Sequence, residues 1–270
     1  MLPATATPDL KDMPAAAGLH YFLHEGGGAL KYPIVLIHGA GGDHLSWPAE
    51  LRRLPDHHVI TLDLPGHGKT EGPGHQSIGN YARVVTEFVD FLGFSRAVFI
   101  GHDMGGAICL SLALDYPDRV AGIGLISTGS CLPIPSKILE NAAGKPTLPL
   151  AIKDLQEIFL GSQTPEGLKE AILNRLKSTR QTLLLGDLLA CDRFSMAGCL
   201  GGINTPVLVV CGTDDKFTPL HFSEMLSSQI PGSALQTVEG AGHLPMLEQP
   251  HRLAKMISIF LATIPYLPGK

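Results

Sequence analysis

The sequence predicts an α/β fold: a mostly parallel central sheet with helices on both faces, carrying a helical lid insertion. Three observations predict it. Short apolar, β-branched runs alternate with helical patterns over most of the chain, the order that builds βαβ units. The runs are nearly continuous in apolar residues, as strands are when both faces are buried. Between residues 131 and 201 the alternation stops, and helical patterns follow one another with no strand between them.

Residues 32–37 read as the first strand and 44–54 as a helix. A strand at 58–62 precedes an amphipathic helix across 77–92. Strand 97–100 leads into helix 105–114, and 120–126 is a further buried strand. The pattern resumes with strand 206–211, a helix near 221–230, strand 234–238 and a last helix over 251–262. The core domain is therefore expected to comprise residues 1–130 and 202–270, with residues 131–201 as a lid (cap). Ligands of α/β sheets bind outside the carboxyl ends of the strands, so an insertion after 120–126 is placed to roof that site. A few extra structural helices are the plainer alternative.

With 270 residues, 44% hydrophobic, the chain fits one large domain with an insertion and can bury a core without staples. A net charge of −5 without basic clusters argues against nucleic acid. No apolar run reaches the ~20 residues that span a bilayer. The first residues, MLPATATPDLKDMPAAAG, carry Pro and acidic residues where a secretion signal has an apolar block. Five cysteines with no C-x-x-C pair show no disulfide framework. The expectation is a cytoplasmic protein with reduced thiols. The histidines lack metal-ligand spacing, and Gly26-Gly27-Gly28 leads into a strand rather than a helix, unlike a nucleotide loop. No metal and no cofactor are implied.

The segment VFIGHDMGGAI carries the chemistry. A strand runs into Gly101-His102-Asp103-Met104-Gly105 and a helix starts at once. This is a G-x-nucleophile-x-G elbow, whose turn exposes the middle side chain and aims backbone N–H groups at any oxyanion formed there. Two further elements follow in the order nucleophile, acid, histidine. Asp215 lies in VLVVCGTDDKFTP just after a strand, with Asp214 as its rival, and the spacing from Gly212 favours Asp215. His243 lies in the Gly-rich loop VEGAGHLPMLEQP after the final strand. A carboxylate in such a loop can fix the tautomer and orientation of the imidazole.

Together these motifs resemble the α/β-hydrolase fold superfamily over residues 18–261. Ile37-His38-Gly39-Ala40-Gly41-Gly42 resembles the loop after the third strand that supplies one arm of the oxyanion hole. The resemblance implies the backbone N–H groups of Ala40 and Met104 as donors. Asp63-Leu64-Pro65-Gly66-His67-Gly68 resembles the D-x-x-G-H-G loop, read as structural. His38, His67 and His102 are expected to bond backbone in turns, and Cys109 to lie in the core.

The departure is at the elbow, where most members with a similar H-G-x-G-G loop carry Ser and this chain carries Asp103. A carboxylate suits displacement at saturated carbon, as in the dehalogenases and epoxide hydrolases of the superfamily. Their partner groups are missing: residues 131–201 hold no Tyr, Met104 stands where haloalkane dehalogenases have Trp, and Gly105, Gly106 and Ala107 stand where fluoroacetate-type enzymes have arginines. The leading expectation is an esterase-like scaffold with Asp103 in the nucleophile position. An Asp-nucleophile hydrolase (epoxide hydrolase or dehalogenase) is the second reading, with Trp47, His44 and Asn141 as candidate stabilising groups. A non-catalytic ligand-binding member is the third. The lid is rich in Leu, Ile and Ala, with Phe159 and Phe194 its only aromatics, which suits a small apolar substrate. The charges within 153–157 and 169–177 read as a solvated helical face.

Overall fold

A computed structural model describes residues 15–26 and 32–266; Gly27, Gly28 and residues 1–14 of the N-terminal stretch discussed above lie outside them. The chain opens with β1 (Ala15–Ala16) and β2 (Leu19–His24), followed by β3 (Ile34–Ile37), α1 (Ala49–Arg52) and β4 (Val59–Leu62). Next come α2 (Ile78–Phe91), β5 (Ala97–His102), α3 (Met104–Asp115) and β6 (Val120–Ile126). Four helices then follow without a strand: α4 (Ser136–Ala143), α5 (Leu148–Phe159), α6 (Glu166–Ser178) and α7 (Gln181–Asp192). The chain closes with β7 (Val207–Gly212), α8 (Leu220–Gln229), β8 (Ala234–Val238), α9 (Pro245–Glu248) and α10 (Pro250–Thr263).

The eight strands form one sheet in the order β1-β2-β4-β3-β5-β6-β7-β8. From β4 to β8 every neighbour is parallel. Each of the strands β3 to β7 is buried along its whole length, which is why their sequences carry no polar alternation. The sheet departs from the sequence reading at its edge. β2 pairs antiparallel with β4, and its LHYFLH run is only half-buried, so it lacks the apolar continuity that marks the other strands.

Helix α2 buries Ile78, Tyr81, Ala82, Val85, Phe88 and Val89, the i, i+3, i+4, i+7 stripe of an amphipathic helix. α3 is buried from Met104 to Ala113, the burial of a helix inside the molecule rather than on its surface. The helix expected over 44–54 is broken: a 3₁₀ turn at His44–Ser46 is separated from α1 by Trp47 and Pro48. Pro48 forces the residue before it out of helical geometry, and Trp47 is extended at φ −100 and ψ 115. No helix among the described residues is long and apolar enough to cross a membrane.

Candidate functional site

Ala40 follows β3, Asp103 follows β5, Asp215 follows β7 and His243 follows β8, so four strand ends meet at the carboxyl edge of the sheet. The elbow is held open by absent side chains. A Cβ on Gly101 would lie 2.0 Å from the Gly105 carbonyl oxygen, and one on Gly105 would lie 2.2 Å from that of Ile37. Between them Asp103 takes φ 52 and ψ −116, a left-handed strain that non-glycine residues rarely accept. Its backbone is clamped on both sides, the N–H donating to Ile126 O at 3.0 Å and the carbonyl accepting from Thr128 Oγ1 at 2.9 Å.

The Asp103 carboxylate divides its two oxygens. Oδ2 accepts the Ala40 N–H at 3.0 Å, and the nearby Met104 N–H pulls the carboxyl pKa down. Oδ1 is buried and has no hydrogen-bond partner. It lies 3.9 Å from His243 Nε2, itself buried and without a partner; the gap is too long for a direct hydrogen bond. On the other side of the ring, His243 Nδ1 meets Asp215 Oδ2 at 3.0 Å. Asp215 is fixed in turn by the N–H groups of Phe217 and Thr218 and by the Thr218 hydroxyl. Asp214 is half-buried and bonds Ser162; it takes no part in this arrangement.

Burial raises the pKa of Asp103, against the opposing pull of His243 and the Ala40 and Met104 N–H groups. Burial would likewise raise Asp215, but the His243 charge and the hydrogen bonds outweigh it and hold the carboxyl below its usual range. For His243 burial pushes down, and the Asp215 and Asp103 charges overcome it and raise the pKa. The ring is walled by Phe159, stacked at 4.8 Å and 26°, and by Phe217, edge-on at 4.9 Å. Phe159 comes from α5, and its carbonyl accepts the His243 N–H at 2.8 Å.

The other loop histidines are committed to backbone or structural partners. His38 Nε2 accepts from Leu64 N while Nδ1 donates to Gly39 O. His102 donates to His243 O, and burial lowers its pKa to about 3. His67 bonds Pro65 O and Asp187. Cys109 is buried, and that burial raises its thiol pKa.

The cavity above Asp103 leaves about 50 Å³ of free space. Phe159, Ile172, Leu176, Leu244, Met246 and Leu247 form its apolar wall. Trp47, His44 and Asn141, expected as stabilising groups, do not line it. Trp47 is fully buried in the core, the Asn141 backbone carbonyl accepts from the Thr147 hydroxyl, and the His44 ring bonds Asp63. Arg175 lines the cavity instead. Its segment reads as a solvated face in the sequence, but α6 presents this guanidinium to Asp43 in the loop after β3. The sequence also gives no sign of Asp187. That carboxylate, buried in α7, accepts from Gly41 N at 2.8 Å, His67 Nε2 at 2.7 Å and the Tyr81 hydroxyl at 2.8 Å.

Among the described residues one group of metal-capable side chains does form, from segments too far apart for spacing to reveal: His20, His44 and Asp63. The two Nδ1 atoms sit 2.8 and 2.9 Å from Asp63 oxygens, and the carboxylate also accepts from the N–H groups of His44 and Lys69. Hydrogen bonding accounts for the whole cluster, which joins β2 to the loops after β3 and β4.

Comparison with known proteins places this geometry in context. A family described as "alpha/beta hydrolase fold" matches residues 32–250. A 2-hydroxy-6-oxononadienedioate/2-hydroxy-6-oxononatrienedioate hydrolase of Paraburkholderia phymatum is 31% identical, covering 87% of this chain and 88% of its own. Among solved structures, a thermophilic esterase is 28% identical at a TM-score of 0.79, with 92% of this chain and 95% of that one covered. The enol-lactonase of Burkholderia xenovorans superposes at 0.83 with 24% identity over 90% of this chain and 96% of its own, a likeness of fold.

Proposed function

The chain belongs to the alpha/beta hydrolase fold family of enzymes, and on that premise we propose that it is a hydrolase whose nucleophile is the Asp103 carboxylate. The observation that carries this reading is the division of the two oxygens. Oδ2 fills the donor site at Ala40 N, so a substrate carbonyl cannot enter the hole that a serine esterase would offer it. Oδ1 is left free in the cavity beside His243.

The chemistry then runs in two steps. An Oδ1 lone pair forms a bond to saturated carbon, and the bond to the leaving group breaks with its electron pair. The product is an alkyl ester on Asp103. In the second step His243 Nε2 takes a proton from water as the hydroxide adds to Cγ. The negative charge falls on Oδ2, where the N–H groups of Ala40 and Met104 stabilise it. Collapse breaks the Cγ–Oδ1 bond, the alcohol leaves with the proton from the imidazolium, and the carboxylic acid left on Asp103 gives its proton up to solvent to restore the carboxylate. Asp215 holds the ring in the tautomer with Nε2 unprotonated and steadies its charge. In this reading residues 131–201 are a cap, and Phe159 excludes water from the stacked face of His243.

A second reading is an acyl-hydrolase scaffold, as the esterase relatives favour, with Asp103 as its unusual part. Two measurements separate them. Incubating His243→Ala with bromoacetate and with styrene oxide is expected to trap an adduct that peptide mapping assigns to Asp103. Absence of any such adduct, together with a gain of two or more orders of magnitude in p-nitrophenyl acetate turnover for Asp103→Ser, would replace the first reading by the second.

A further inference from the structure

Of the residues lining the cavity, Asp103 and Arg175 carry formal charge and His102 is held neutral by burial, while His243 stands behind Asp103 with Nε2 3.9 Å from Oδ1. Arg175 comes from α6, and its Nη2 pairs with Asp43 across the gap to the loop after β3. That ion pair accounts for one end of the guanidinium. It leaves Nε buried with no hydrogen-bond partner, and an N–H in that state costs free energy that an incoming acceptor would recover. A guanidinium is a planar fork of five donors, matched to the planar oxygens of a carboxylate.

We propose that Arg175 is the anion anchor of this pocket and that the substrate carries a carboxylate on a small apolar body. The inference rests on the reading of the Asp103 cavity as the reaction site. A monoanionic carboxylate fits better than a phosphate because the same cavity holds the Asp103 carboxylate, which repels a dianion more strongly. The free volume of about 50 Å³ and the Phe159, Ile172 and Leu176 wall set the body as short and aliphatic. With its charge on Arg175, such a molecule points its apolar end along that wall.

The test is calorimetric titration of the full chain with butyrate and with butyramide, which share shape and differ in charge. Butyrate is expected to bind about tenfold or more tightly than butyramide, as a charge-assisted pair gives. Arg175→Met is expected to erase the preference, and Arg175→Lys to keep part of it. Asp43→Asn and Asp103→Asn each remove a competing negative charge and are expected to tighten butyrate alone. A purely structural Arg175 would weaken both ligands together. The inference is overturned if the parent and Asp103→Asn bind butyrate no better than butyramide, or if Arg175→Met leaves the ratio unchanged. Should Arg175→Met fail to fold, Asp43→Asn decides: an unchanged butyrate affinity refutes the anchor. Asp103→Asn has no nucleophile, so a butyrate preference in it stands even if no adduct ever forms on Asp103. An adduct without a butyrate preference removes only the anchor.

Discussion

Replacing Asp187 with Ala tests how α7 is fastened to α2 and to the loops after β3 and β4. The carboxylate is fully buried and accepts from Gly41 N, His67 Nε2 and the Tyr81 hydroxyl at 2.7 to 2.8 Å. Each buried donor left without an acceptor costs about 1–3 kcal/mol, so three losses set a range of ~3–9 kcal/mol. Relaxation and water entry favour the lower half, as in buried pairs that lose one partner, at about 3–5 kcal/mol. That is a large part of the ~5–15 kcal/mol that holds a domain together. At roughly 2–4 °C per kcal/mol for a chain near this size, the midpoint of thermal unfolding should fall by about 6–20 °C. Asp187→Asn keeps one acceptor oxygen but turns an NH₂ group towards a donor, and should lose about half as much. Circular dichroism melts and urea titrations read both variants. An Asp187→Ala protein within ~1 kcal/mol of the parent would refute the claim that this carboxylate is the fastening point.

Two further outcomes are expected. Turnover should rise with pH through the His243 pKa. Asp103 must be ionised and His243 neutral, and both groups titrate above their ordinary values. The midpoint of the acid limb therefore lies above the ordinary histidine value of about 6.5, and a midpoint at or below it in a pH–rate profile would contradict the site. Gly105→Ala places a Cβ 2.2 Å from Ile37 O and should cost several kcal/mol or abolish folding. Gly79→Ala, in α2 with nothing nearer than Ser77 Oγ at 3.9 Å, should be neutral or stabilising by up to ~1 kcal/mol. Equal urea midpoints for the two variants would undo the close-packing account of the elbow.

The parts of the fold that were legible share one property: their signal is local. Strands β3 to β7 show as apolar runs because both faces are covered, and the elbow shows because two glycines flank a strand-to-helix turn. The order Asp103, Asp215, His243 carries the site because each residue terminates a strand within a few positions. Strand β2 was missed since an edge strand with His20 and His24 in it has no apolar continuity. The break at Trp47-Pro48 has a local signal in Pro48, which a reading of 44–54 as one continuous helix does not take into account. Arg175 and Asp187 were illegible for a different reason. Each acts across more than a hundred residues of chain, on Asp43 and on Gly41, and the periodicity of a helix does not report which loop its face will meet. Arg175 shares its helix with exposed charges such as Lys169 and Glu166, so spacing alone could not single it out.

The length of the nucleophile decides what the pocket has to recognise. A serine hydroxyl leaves the Ala40 and Met104 donors to the carbonyl oxygen of the substrate, so binding and oxyanion stabilisation fall on the same substrate group. An aspartate reaches one atom further. Its Oδ2 occupies the Ala40 donor, and in the proposed reaction the charge of the second step develops on the protein's own atom. The substrate then gains nothing from the hole when it binds. Its affinity must come from the apolar wall and from whatever polar group the cavity has left uncommitted. The Ser46 hydroxyl accepts from Asp43 N, His102 is bonded to His243 O, and Gly41 N is bonded to Asp187. Of the polar side chains lining the cavity, Arg175 keeps a buried donor without a partner. On the proposed reading, the aspartate at the elbow and the arginine of α6 are thus two halves of one requirement: a site that supplies its own oxyanion has to hold its substrate by another handle.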